Sequence, residues 1–100
     1  MIVYNVTVKI ELSVHEVWLQ WMRAEHIARV IATGCFDSYK LYRILEENQT
    51  DGITYAIQYF TTDTTRYFEY QEKYAQVLQK EARDIFPDKF TSFRTLLREV

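Results

Sequence analysis

One cysteine, one proline and two glycines in 100 residues exclude several kinds of chemistry at once. Cys35, standing alone, cannot close an intramolecular disulfide; a reducing compartment fits it, and the expected location is cytoplasmic. Gly34 and Gly52 are too far apart to build a phosphate-cradling loop. None of Ser13, Ser38 and Ser92 is flanked by the glycines of a nucleophile elbow. Only two histidines are present, His15 and His26. Eleven residues apart, they would sit ~16 Å from each other along an unbroken helix and could not share a metal. His15-Glu16 opens like a metalloprotease helix, but Leu19 stands where the second histidine belongs. With one Cys and two His there is no structural zinc set. No metal and no cofactor is assigned.

Charge is equally sparse in pattern. No two basic residues are adjacent and the formal net charge is −2. That is no footprint for nucleic acid or an anionic membrane surface. No stretch approaches the ~18 apolar residues of a membrane span. Residues 1–10 alternate and lack the basic start and apolar run of a signal peptide. The sequons at Asn5 and Asn48 are accordingly read as chance.

What the chain does have is apolar bulk: 48% hydrophobic residues and eight tyrosines, enough for a core and too much for a disordered segment. Residues 1–100 are read as one domain. A domain of this size buries a modest fraction of its surface, so oligomerisation would help it.

Ile2, Tyr4, Val6, Val8 and Ile10 alternate with Val3, Asn5, Thr7 and Lys9, the period of a strand. Ser13 and Glu16 form the pattern of a capping box, with Leu12 and Val17 at the staple positions. A helix over 14–32 follows, with a stripe of Val14, Val17, Trp18, Trp21, Ala24, Ala28 and Ile31 and a stop at Gly34. Residues 36–46 and 53–60 read as two strands of a hairpin, joined by a polar loop over 47–52 that ends in Asp51-Gly52. Asp63 caps a second helix with a stripe of Tyr67, Tyr70, Tyr74, Val77, Leu78, Ala82 and Ile85, ended by Pro87. Residues 90–100 make the last strand, with Arg94 and Arg98 alternating against Phe93, Thr95 and Leu97.

The order β-α-β-β-α-β predicts an α+β, ferredoxin-like sandwich: one antiparallel sheet with two helices on one face. Val3, Asn5, Thr7, Ala56, Gln58 and Phe60 fall on the other face. They are too apolar for open solvent and too polar for a dry core, which suits a homodimer interface. RNA-recognition domains share this order, but the corresponding third strand here has Asp51 for a base and one aromatic of three, so RNA binding is rejected.

The order, the length and the half-polar sheet face resemble the dimeric α/β-barrel superfamily of ferredoxin-like proteins. The segments Ile2–Val8, Trp18–Met22, Glu25–Ile27, Ala32–Phe36, Thr54–Phe60 and Phe93–Leu96 resemble a family of short bacterial proteins of unknown function. The resemblance implies pairing sheet to sheet and a small molecule held between sheet and helices. It implies no reaction, because the superfamily spans cofactor-independent monooxygenases, isomerases, haem-handling enzymes and plain binders.

Tyr4, Tyr55 and Tyr59 share a sheet face with Ile2 and Val6, where a small polar-aromatic cavity would fit. Expected ligand contacts are Tyr4, Trp21, His26 and Tyr59, with His26 the sole proton carrier and the sole catalytic candidate. Arg43 and Arg94, inside strands, are expected at sheet edges or in interface ion pairs. Two readings stand: a small-molecule-binding homodimer, as binder or cofactor-independent enzyme, and a non-catalytic assembly or regulatory module. Space separates them. In the second, Trp18 and Trp21 close the gap between helix and sheet.

Overall fold

The structure, a computed structural model, describes residues 1–45 and 50–100. Strand β1 (Ile2–Ile10) forms where the period-two pattern requires, with Ile2, Tyr4, Val8 and Ile10 buried. Strands β2 (Ser38–Arg43), β3 (Ile53–Thr61) and β4 (Phe90–Arg98) complete one antiparallel sheet in the order β2-β3-β1-β4. Tyr4 pairs with Tyr59 on one side and Leu96 on the other, and Val6 with Ile57 and Arg94. This register puts Tyr4, Tyr55 and Tyr59 on the helix-facing side, as expected. The second strand is shorter than its apolar run, because Phe36 turns into the core ahead of it. The expected loop over 47–52 and the strand end at Glu46 lie largely outside the described residues; Gly52, just before β3, is packed so closely that a Cβ would meet the Ile10 carbonyl oxygen at 2.9 Å.

Two helical arms cover one face of the sheet. The first departs from the expected helix at both its start and its middle. A 3-10 turn, Leu12–Val14, comes first, closed by Val14 N–H donating to the Glu11 carbonyl at 3.2 Å. Ser13 therefore lies inside that turn, and no side chain caps α1 (His15–Trp21). The capping box does not form, and the two staple residues, Leu12 and Val17, stay exposed. Next, a π turn at Met22–His26 separates α1 from α2 (Ile27–Ala32). A π turn inserts extra rotation into the ladder. It carries Met22, Ile27 and Val30 into the core and leaves Ala24 and Ala28 of the expected stripe in solvent. Gly34, at φ 76°, ends the arm as a left-handed residue should.

The second arm begins as expected: the Asp63 carboxylate accepts from Thr65 N–H at 2.8 Å and starts α3 (Thr64–Lys73). The backbone breaks at Tyr74 (φ −122°, ψ −33°) before α4 (Ala75–Ile85). That break resets the helical phase. Ala75 and Leu78 turn inward, with Ala82 partly buried, whereas Val77 and Ile85 of the expected stripe are exposed. Arg66 ties the arms together, donating to both Asp37 carboxylate oxygens at 2.9 and 3.0 Å and to the Gly34 carbonyl. Arg29 and Glu81 add an ion pair between α2 and α4.

Candidate functional site

The two arms do not close completely over the sheet. Between them and the strands lies a cavity of about 110 Å³. Its inner wall is aromatic and aliphatic: Tyr4 and Val8 from β1, Ile57 and Tyr59 from β3, Trp18, Met22 and Tyr70 from the arms. Its outer wall is Gln79, Ala82 and Arg83 of α4 and Phe90, Ser92 and Arg94 of β4. The inner residues are buried and Arg83 and Arg94 are exposed, so the cavity opens between α4 and the β4 edge. Ala82 and Ser92 explain part of the space, since neither is long enough to fill it.

The inner wall is stiff. The Tyr4 ring lies 5.5–6.1 Å from the rings of Phe36, Tyr59, Tyr67 and Tyr70. Such packed aromatic clusters resist collapse into a neighbouring void. Burial pushes the Tyr59 and Tyr70 hydroxyls well above their ordinary range, reinforced by neighbouring tyrosines. Both stay neutral at physiological pH and can act as hydrogen-bond donors.

His26, the last residue of the π turn, also lines the cavity. Burial, with Arg29 and Arg94 nearby, lowers its pKa to about 4. Its Nδ1 is buried and has no hydrogen-bond partner among the described residues. A neutral imidazole with an unused polar atom is a poor structural element and a ready ligand contact. At that pKa it is a weak base, so hydrogen bonding comes before proton abstraction.

Three of the four expected contacts, Tyr4, His26 and Tyr59, thus meet at one cavity. Trp21 does not line it; it packs on the His26 ring at 5.0 Å and edge-on to Phe86 at 5.4 Å. Its place is behind the histidine: Trp18 and Trp21, three residues apart in α1, point about 60° apart around the helix, and only Trp18 faces the space. Trp18 is the one at the cavity, and it does not fill the gap. Tyr55 shares the face but is engaged elsewhere, its hydroxyl 2.7 Å from His15 Nε2. Cys35 is buried, as a small structural thiol is.

Sequence reasoning put Arg94 at a sheet edge, as found, but missed Tyr70, Gln79, Arg83 and Ser92 and the place of Arg94 in the cavity lining. Arg94 is on an edge strand, but among the described residues it has no carboxylate within ion-pair distance. The signal for it was the alternation in β4, which puts Arg94 in phase with Ser92 and Phe90 on the helix side. Arg43 lies on the other edge strand, β2. Among the described residues no group of three or more acidic, Cys or His side chains is placed to hold a metal, and no helix is long and apolar enough to cross a membrane.

Solved structures share this architecture. A dimeric ferredoxin-like protein from an uncultured marine organism is 11% identical with a TM-score of 0.70, over 100% of this chain and 95% of that one. A cofactor-independent oxygenase, SnoaB, from Streptomyces nogalater is 13% identical with a TM-score of 0.62, over 98% and 92%. A Streptomyces coelicolor monooxygenase in complex with nanaomycin D is 12% identical with a TM-score of 0.60, over 99% and 88%. At such identities the likeness is one of fold, and the fold is ferredoxin-like. No curated protein matches the chain. Residues 1–100 match the domain of unknown function DUF4286, and the chain belongs to that family.

Proposed function

We propose that this protein is a homodimer that binds a small, single-ring aromatic molecule between sheet and helices. The observation that carries the reading is His26: a half-buried, neutral imidazole whose buried Nδ1 has no partner among the described residues, in the wall of a cavity that is aromatic and aliphatic on its inner side. A volume of about 110 Å³ is on the scale of one ring. It is well below the ~300 Å³ at which pockets for larger ligands begin. The ring would lie among Trp18, Tyr59 and Tyr70, and a hydroxyl on it would donate to His26. Neighbours of this fold include an oxygenase that works without a cofactor and a monooxygenase in complex with the ligand nanaomycin D, which favours a small-molecule site. Turnover of the ligand, with His26 taking a proton from that hydroxyl, is an extension of the same reading. Phenol is the simplest probe. Titrated into isotopically labelled protein, it is expected to shift the His26 ring and Trp18 indole resonances saturably, and to lose that effect in Ser92→Phe, whose added ring occupies the outer cavity. Equal shifts in the variant would remove the cavity as the site.

The homodimer rests on the uncovered sheet face. Val3, Thr7, Ala56 and Phe60 lie there beside Phe93, which is 63% exposed, and Leu97, 43% exposed. Such a face is apolar enough to form the core of an interface, with Asn5, Gln58 and Thr95 as its polar part. Phe93→Glu is expected to convert a dimer into a folded monomer in sedimentation velocity. A wild-type monomer at the same concentration would overturn this part of the proposal.

A further inference from the structure

Arg83 and Arg94 stand on opposite sides of the opening, one on α4 and one on β4. Neither has an ion-pair partner among the described residues, whereas Arg29 and Arg66 each hold a carboxylate. Asp88 borders a neighbouring groove that shares Arg83, Phe90 and Ser92 with the cavity, and it pairs with neither arginine. Among the described residues, none that lines the cavity is acidic. The opening is therefore a local excess of positive charge in a chain of net charge −2. Each guanidinium presents planar paired donors, which match a planar anion such as a carboxylate.

We propose that the ligand carries a carboxylate on its ring, held at the mouth by Arg94 and Arg83 while the ring enters the aromatic interior. This rests on the cavity being a ligand site, and it names the substrate class of that site. Arg94 lies close enough to His26 and Tyr70 to act on both electrostatically, so a carboxylate at Arg94 and a ring polar group at His26 are compatible with one small molecule. Both arginines are exposed, so neither is committed to holding the fold together. Their charge would steer an anion to the opening, and that attraction weakens with salt.

Benzoate and benzamide, nearly identical in shape, separate charge from size. Titrations of each into the wild-type protein and into Arg94→Gln, Arg83→Gln and the double variant, followed by the His26 and Trp18 resonances, are the test. The expected result is benzoate binding at least tenfold tighter than benzamide, a reduced preference in each single variant and none in the double. Benzamide binding as tightly as benzoate, or a preference that survives in the double variant, would overturn the carboxylate assignment and leave the ligand site standing. Failure of benzoate, benzamide and phenol alike would overturn the site, and this assignment with it.

Discussion

Replacing Trp18 with alanine is expected to destabilise the protein by about 3–5 kcal/mol, the range for emptying a large buried aromatic position. Trp18 is 1% exposed and sits 5.4 Å from the Tyr55 ring, itself stacked on His15. The substitution would join the void it leaves to the existing cavity, so the surroundings cannot collapse to compensate. Against a total stability of ~5–15 kcal/mol, such a loss is a third or more for most small domains. Val17→Ala, one residue away, is expected to change stability by no more than about 0.5 kcal/mol, because Val17 is 65% exposed. Urea denaturation of both variants checks the pair. A cost below about 1 kcal/mol at Trp18 would mean that the first arm does not pack as described.

The second large effect is on acid stability. His26 has a pKa of about 4 in the folded protein, against an ordinary 6.5. Between those values the unfolded chain takes up a proton that the folded chain refuses, so stability must rise with pH through that window. The contribution is fully present above pH 6.5 and is lost as pH falls towards 4. The gap converts to up to about 3 kcal/mol. Groups that act on the imidazole come from two elements: Arg29 on its own arm, already paired with Glu81, and Arg94 on β4. Asp37 and Asp51 are held below their ordinary 3.8 by Arg66 and Lys9, so their share of the acid loss falls mainly below this window. His26→Leu is therefore expected to flatten the stability profile between pH 4 and 6.5 while costing little at pH 7, since it removes a buried polar atom that had no partner. An unchanged slope in the variant, or a loss of several kcal/mol at pH 7, would place His26 in a structural network instead.

The strands and their faces were legible because a period of two leaves no choice of side once one face is buried. Tyr4, Tyr55 and Tyr59 could be put on one face, and Val3, Asn5 and Thr7 on the other, from alternation alone. The helices were legible as elements and misread in phase. Nothing in Met22–His26 marks a π turn, and the small residues Ala24 and Ala28 happened to continue a regular stripe. The insertion brings His26 to the cavity wall. Likewise no residue type announces the break at Tyr74, so Val77 was counted inside. The capping box failed for a different reason: its residues were right, but a tight 3-10 turn follows β1 and takes Ser13 into itself. The cavity was the least legible feature. It depends on volumes summed across elements, with Ala82 and Ser92 too short to fill what Trp18, Tyr59 and Tyr70 enclose. Arg94 was visible in the alternation of β4, but that no carboxylate among the described residues pairs with it belongs to three dimensions.

The central claim is that space exists between sheet and arms and that a ring enters it. A crystal structure of the protein soaked with phenol tests this most directly. The account predicts a phenol ring bounded by Trp18, Tyr59 and Tyr70, with its hydroxyl within hydrogen-bond distance of His26 Nδ1. A gap closed by Trp18 or Tyr70, with no phenol beside His26, would contradict it and favour a module whose role is assembly alone.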